Sequence, residues 1–351
     1  MTHANAGTES ASEPKIPATQ NWRHKLAKYR EASDGRAITE LLITLVPYVA
    51  CWVFAAWLIS ISVWLIPLAV VPAAAFLIRL FIIQHDCGHG SMFSSRKAND
   101  WVGRFIGLLT VTPYDFWKYS HAFHHATHGN LDKRGIGDVP TLTVEEYNEK
   151  NWYGRLLYRA VRHPLVLFGF GPVYIFLLQQ RLPIGGVKGR NNWLSTLSTN
   201  AGMAAIAAPG IYFMGWWQFL LVGTLIIALT SSIGVWLFYV QHQFEDTQWS
   251  RTEDWNHQSY ALHGSSYYKL PGVLNWMSGN IGVHHVHHMS SAIPFYRLPQ
   301  VLKDHPELKN ISRITLWQSF KFARLKLWCE AQQKLVTFRE ARVLRRARVA
   351  A

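Results

Sequence analysis

The sequence predicts an all-α integral membrane protein: two transmembrane helical hairpins, four spans in all, beneath a cytoplasmic helical cap that carries a histidine-ligated metal site. Three observations carry this expectation. Two long stretches lack any charged residue, basic residues concentrate outside those stretches, and histidines gather in short clusters at their ends. Composition agrees, since 16% charged and 14% aromatic residues, with 16 Trp, are too few charges and too many rings for an average soluble domain.

No charged residue lies between Glu40 and Arg79. A span needs about 20 residues at a rise of roughly 1.5 Å each. This run therefore holds two helices, at residues 39–59 and 62–84, joined by a short turn near Ser60 and Ser62. A second uncharged run covers 191–244, and Gly215, Trp216, Trp217 and Gln218 supply its turn, giving spans at 195–214 and 217–240. Both turns lack Lys and Arg, whereas the N-terminus, residues 96–162 and the C-terminus carry many. By the positive-inside rule those basic parts, both termini included, are cytoplasmic.

Two other apolar stretches resemble spans. Residues 102–113 are too few. Residues 164–180 are interrupted by Gly169, Gly171 and Pro172, and a fifth crossing would put the last histidine cluster on the opposite face from the first two. The stretch is therefore expected to be interfacial or re-entrant. The organisation that follows is a polar and basic N-terminus at 1–36, disordered over its first 20 residues, a membrane domain at 37–310, and a basic C-terminal helix at 311–351.

A net charge of +14 and a pI near 9.8 raise nucleic-acid binding as a function. The basic residues flank apolar runs and line no nucleic-acid motif, so contact with anionic lipid headgroups is the better reading, and no nucleic-acid partner is expected. Cys51, Cys87 and Cys329 have no CxxC spacing and their odd number completes no disulfide framework, which suits a reducing cytosolic face. Residues 1–20 contain no apolar signal-peptide core.

The first histidine cluster is HDCGH at 85–89, where the second span leaves the membrane. His85 and His89, four apart, share one helix face. The second is HAFHH at 121–125, in which His121, His124 and His125 are expected to converge from one helical turn. The third, HHVHH at 284–288, repeats that pattern with His284, His287 and His288. Eight imidazoles exceed what one tetrahedral ion accepts, so two metals are implied. His242, at the end of the fourth span, is a ninth candidate on the same face. His128, His257, His263 and His285 break the spacing and are assigned supporting or surface roles; His3, His24, His163 and His305 are ordinary. A solvated helix face explains any single cluster equally well, but not three on one side of a membrane.

HDCGH, HAFHH and HHVHH, on two membrane hairpins in this order, resemble the three histidine boxes of the membrane fatty-acid desaturases. The resemblance covers nearly all of the chain after residue 40. Within that family GDVPTLTVEEY at 137–147, VQHQFED at 240–246 and NIGVHHVHH at 280–288 are similar to bacterial acyl-lipid desaturases of the omega-6 (delta-12) type. The resemblance implies a di-iron site, with two iron ions held by His85, His89, His121, His124, His125, His284, His287 and His288, and by His242 as an additional ligand. It implies O2 as co-substrate, a cis double bond as product, and an external electron donor, a ferredoxin or cytochrome b5, since no flavin or nicotinamide fingerprint appears in the chain. Asp86, Asp138, Glu245 and Asp246 stand beside the boxes, where they can orient ligand imidazoles or form surface ion pairs.

Desaturases acting near the carboxyl end usually carry Gln at the first position of the third box and a fused cytochrome b5 domain, whereas this chain has His284 and no such domain. The acyl-CoA delta-9 type spaces its first box by four residues; here Asp86, Cys87 and Gly88 make three. A lipid-linked acyl chain is therefore the expected substrate, in a multi-pass protein of the bacterial inner membrane. A hydroxylase or ketolase acting on an alkane, carotenoid or sphingolipid is the alternative within the enzyme class. A metal transporter or sensor would place ionisable residues along its spans, and the charged residues of these spans are only Arg79, close to one end, and Glu40 at the very start of the first. Bond position, chain length and oligomeric state are not encoded in the boxes.

Overall fold

The computed structural model describes residues 22–184 and 190–350; residues 1–20, expected to be disordered, lie outside them. Six helices of fourteen residues or more build the scaffold: α1 (Asp34–Ile61), α2 (Pro67–His89), α3 (Arg96–Leu109), α4 (Tyr114–Thr127), α5 (Arg190–Met214) and α6 (Trp216–His242). Each expected hairpin is present, with its boundaries displaced. Ser62 adopts an extended conformation, its hydroxyl accepts from the Trp64 N–H, and a 3-10 turn at Val63–Leu65 follows before Pro67 opens α2. The turn is thus longer than the sequence suggested, and α2 runs on to His89, so the first histidine cluster lies on the helix itself. In the second hairpin only Gly215, at φ +89°, separates α5 from α6; that left-handed backbone suits glycine.

Within these hairpins α2 is the central helix: 61% of its apolar window is buried, against 22% for α1 and 28% for α6. Ala69, Ala73 and Ala74 are fully buried and let neighbouring backbones approach closely. α1 instead turns Val46, Val53 and Trp57 outward, which in water would be a costly apolar face and against lipid is a favourable one.

Three helices, α1, α2 and α6, are long and apolar enough to cross a membrane. α5 has the length but stands outside that set, because Asn191, Asn192, Ser195, Thr196, Ser198, Thr199 and Asn200 make its first half polar. The stretch around 164–180 belongs to a pair, Trp152–Val161 and Val166–Arg181, bent by 57° at its break; counted as one broken span it would make four. Val166–Phe170 is π-helical, and the Gly171 N–H bonds back to Val166.

The two charges that bound the first apolar run find each other. In the hairpin the Arg79 guanidinium pairs with the Glu40 carboxylate, both side chains 1–2% exposed. Arg36 also pairs with Glu40 at 2.6 Å. Arg79 donates to the Trp276 carbonyl and lies 4.0 Å over the Trp276 ring. One buried cation therefore joins the hairpin to the segment leading into the third histidine cluster.

The fold is not purely helical. A three-stranded sheet pairs Leu142–Thr143, Leu327–Cys329 and Lys334–Val336, and Tyr267–Lys269 pairs in parallel with Arg313–Thr315. The single C-terminal helix expected at 311–351 is replaced by Leu316–Phe322, the hairpin of strands, and Phe338–Ala350. The reason is local. Thr315 with Gln318, and Thr337 with Glu340, exchange side-chain and backbone hydrogen bonds that start two separate helices, and the fully buried Trp328 anchors the hairpin between them.

Replacing Glu40 by Leu strands the Arg79 guanidinium in a buried setting, and a loss of about 3–5 kcal/mol is expected, read as a lower melting temperature of the detergent-solubilised protein. The double variant Glu40→Leu/Arg79→Met removes both charges and recovers most of that loss. A double variant no more stable than the single one would show that the pair is not what fixes this end of the hairpin.

Candidate metal centre

Three helix ends and one short helix meet on one level. α2 ends in a left-handed Gly90, whose N–H bonds to Cys87, while Ser91 N–H bonds to Asp86. α6 ends at His242. The third cluster forms the short helix α7 (His284–Met289), held against α6 by backbone and side-chain ties: Gln241 Nε2 donates to Ile281 O at 3.1 Å, Ser266 N to Gln241 O at 3.0 Å, and Tyr268 N to Gly282 O at 2.7 Å. A Cβ on Gly282 would lie 2.3 Å from the Tyr268 carbonyl, so only glycine fits this approach.

The nine candidate imidazoles come together, in two sets. His85, His89, His121, His125 and His287 form one, with potential ligand atoms all within 4.8 Å of one another; His242, His284 and His288 form another, to which His124 is joined through His242. The expectation that His121, His124 and His125 converge is corrected here. Positions i and i+4 are about 40° apart around a helix, whereas i+3 and i+4 diverge by about 100°. His121 and His125 accordingly face the first set and His124 the second. α7 does the reverse, sending His284 and His288 to the second set and His287 to the first. His125 and His288 stack at 4.1 Å where the sets abut.

Neighbouring Nε2 atoms form two runs. In the first, His89 to His121, His121 to His125 and His125 to His287 are 3.1, 3.1 and 3.2 Å apart. In the second, His124 to His242, His242 to His284 and His284 to His288 are 3.2, 3.0 and 3.1 Å apart. A ring nitrogen carries either one proton or one lone pair, yet the inner nitrogens of each run face two neighbours. Hydrogen bonds cannot satisfy such a run, whereas one cation drawing on every lone pair can. Imidazole nitrogens this close together are a donor set that would fit a transition-metal cation. Burial first, and then the neighbouring imidazoles, hold His121, His125, His284, His287 and His288 well below the usual histidine range. They are neutral, as ligands must be.

Carboxylates stand behind the rings. His85 Nδ1 donates to Asp86 Oδ1 at 3.0 Å, while Asp86 Oδ2 accepts from Phe295 N at 2.6 Å. His124 Nδ1 donates to Asp138 Oδ1 at 2.5 Å. Each bond fixes the tautomer that presents Nε2 inward. Glu245 and Asp246, for which the sequence leaves ring orientation and surface pairing equally open, are exposed and make no hydrogen bond to these rings among the described residues.

His128, given only a supporting or surface role from spacing, is 5% exposed, 4.1 Å from the His242 ring, and within ligand reach of His124 and His242. Its Nε2 donates to Gly264 O at 2.7 Å, leaving Nδ1 with the lone pair. The signal was present, since His128 continues the i, i+4 series from His124. His285 is fully buried and bonds Leu308 O at 3.0 Å, a structural role. His257 is exposed and His305 packs edge-on against Trp22 and Tyr29.

A cavity of about 240 Å³ opens beside both sets. Its walls include Ile78, Phe81, Trp117, Ile227 and Phe238, and His85 and His121 of the first set and His284 of the second reach its surface. Thr110 donates to Gln84 Oε1 at 2.6 Å, so its hydroxyl is already satisfied. Gly234 also lines the space, and a Cβ there would touch nothing within 4 Å.

The matched family model, fatty acid desaturase, covers residues 68–319, which hold all three clusters and His242. A fatty acid desaturase of Bacillus subtilis (strain 168) is 42% identical over 315 residues, 90% of this chain and 89% of that protein. An sn-1 acyl-lipid omega-3 desaturase (ferredoxin) of Synechocystis is 30% identical over 259 residues, 69% of this chain and 68% of that protein. An sn-1 oleoyl-lipid 12-desaturase of the same organism is 27% identical over 258 residues, 72% and 69% of the two chains. A match across the whole membrane and histidine-bearing region, with a relative of this identity over nine-tenths of the chain, agrees with the resemblance the boxes carry: the chain belongs to the fatty acid desaturase family of oxidoreductases.

Proposed function

We propose that this protein is an O2-dependent acyl-lipid desaturase that places a cis double bond at the omega-6 (delta-12) position of a membrane-bound acyl chain, with two iron ions held by its histidines. The observation that carries the reading is the apolar cavity whose surface includes imidazoles of both sets. His85, His89, His121, His125 and His287 would hold one ion, and His124, His242, His284 and His288 the other. When bound, the irons supply the activation of O2 that removes hydrogen from two adjacent methylenes. In the balanced reaction the chain loses two hydrogens, O2 becomes two waters, and two electrons and two protons enter from outside.

The protein's own groups do the rest. Asp86 and Asp138 keep His85 and His124 in the tautomer that faces the ions. Trp117, stacked on His121 at 4.7 Å and edge-on to Phe81 at 5.4 Å, keeps bulk water from the reacting carbons. The missing side chain at Gly234 gives the acyl chain room. A ferredoxin is the favoured donor, in keeping with the Synechocystis relative whose name specifies one. Positive-inside charge puts the metal centre and both termini at the cytoplasmic face of a bacterial inner membrane.

The direct test is lipid analysis by gas chromatography and mass spectrometry after expression in a bacterium rich in monounsaturated lipid and supplied with a ferredoxin system. A new diunsaturated acyl chain with omega-6 geometry is expected; a hydroxylated product overturns desaturation, and an omega-3 bond overturns the position. His124→Ala should abolish turnover and lower bound iron while the protein still inserts, with His305→Ala leaving turnover unchanged. Asp138→Asn should cost about 10- to 100-fold in iron affinity or activity, because the His124 tautomer is no longer enforced. Gly234→Leu should leave iron content intact and shift preference toward shorter acyl chains by about tenfold, read as relative product yields from mixed substrates.

A further inference from the structure

Away from the metal centre, a second groove of about 400 Å³ lies between helix Trp152–Val161 and the C-terminal helix Phe338–Ala350. Arg155 and Arg159 line it from the first helix and Arg342 and Arg345 from the second; among the described residues no acidic one lines it. Spacings of four and three residues put each pair on one helix face. None of the four forms an ion pair among the described residues. Arg159 is held in place by its Nε–H bond to the Tyr147 hydroxyl at 2.6 Å and by the Phe338 ring, 5.1 Å beneath it. Four guanidinium groups around one space repel one another, and an arrangement of that kind becomes favourable when an anion enters it.

The surroundings distinguish a lipid from a soluble anion. Trp152, Tyr153, Leu156 and Leu157 on the same helix are 52–72% exposed, an apolar and aromatic face of the kind that settles at the headgroup level. Beyond its bend the helix continues into the apolar segment Val166–Arg181. The groove therefore lies where the polar cap meets the apolar belt.

We propose that this groove binds the headgroup of an anionic phospholipid, its phosphate bridged by Arg155 and Arg159 on one side and Arg342 and Arg345 on the other, with acyl chains lying along Leu156 and Leu157. The site is separate from the metal ligands and does not depend on the reaction proposed above.

The test is native mass spectrometry of the full-length protein in detergent, titrated with phosphatidylglycerol, with phosphatidylcholine, and with phosphatidylglycerol in the presence of inorganic phosphate. Wild type should retain phosphatidylglycerol in preference to phosphatidylcholine. Arg342→Gln/Arg345→Gln should weaken that retention by about 25-fold, roughly fivefold for each arginine removed, and Arg155→Gln on the facing helix should weaken it by about fivefold. Arg339→Gln/Arg346→Gln removes the same charge from residues of the C-terminal helix outside the groove and should change little. Equal weakening by both double variants would reduce the effect to general surface charge and overturn the proposal. Displacement by inorganic phosphate alone would overturn the lipid as ligand in favour of free phosphate. Unchanged lipid retention in Arg342→Gln/Arg345→Gln, with turnover newly dependent on donor concentration, would assign the groove to an acidic electron carrier instead.

Discussion

The buried imidazole lone pairs are the constraint on which this structure depends. Nitrogens of two runs, each about 3 Å from the next, are tolerable inside a protein only if something positive lies among them, because their own protons are too few to bridge every contact. Everything that brings them together works against an arrangement that is unfavourable by itself. The scaffold therefore has to be stable without the site, and the hairpin packing around α2, with Ala69, Ala73 and Ala74 fully buried, is where that stability resides.

Three ties transmit the scaffold's rigidity to the rings. Arg79, fixed by Glu40, reaches Trp276 just ahead of the third cluster. Asp86 joins His85 on α2 to the Phe295 amide just after that cluster. Gln241, adjacent to His242, holds Ile281 and Ser266. The short helix α7 has only six residues, too few to be stable alone, so its position is imposed from both flanks. This explains why charged and amide side chains are spent at buried positions in a chain otherwise poor in them: each spans between segments far apart in sequence.

Much of this was legible from residues alone. The uncharged run bounded by Glu40 and Arg79 announced a hairpin, and the boxes at helix ends announced a shared site. What the boxes did not announce was how they divide, because HxxHH gathers three rings within about one helical turn without saying which neighbour the i+3 ring serves and which the i, i+4 pair. His128 was passed over although it extends the helical series, since it follows the last helical residue of α4 and its ring depends on the Gly264 carbonyl, more than a hundred residues away. The strands at 327–329 and 334–336 are three residues each, shorter than any pattern of alternation can mark, yet the two Thr-based caps that break the C-terminal segment are written in the sequence. Glu245 and Asp246 flank His242 in the chain but are exposed: sequence adjacency to a ligand does not place a carboxylate behind its ring, whereas Asp138, fourteen residues from His124, does stand there.

The way each HxxHH box divides also bears on how the two sets are kept apart yet coupled. α4 contributes to both through His121 and His125 on one side and His124 on the other, and α7 does so through His287 and the His284–His288 pair. Any rotation of either helix would improve one set only by spoiling the other. Two helices shared in opposite proportions therefore fix the spacing between the sets without a bridging carboxylate, which is consistent with histidine being the only residue type in the candidate groups among the described residues. Because His85, His121 and His284 belong to different sets and still face one cavity, the same geometry that fixes the spacing also orients both sets toward a common apolar space. An extended acyl chain lying there would present adjacent carbons to one rigid array, and the choice of bond would then depend on how far the chain enters past Ile78, Ile227 and Gly234.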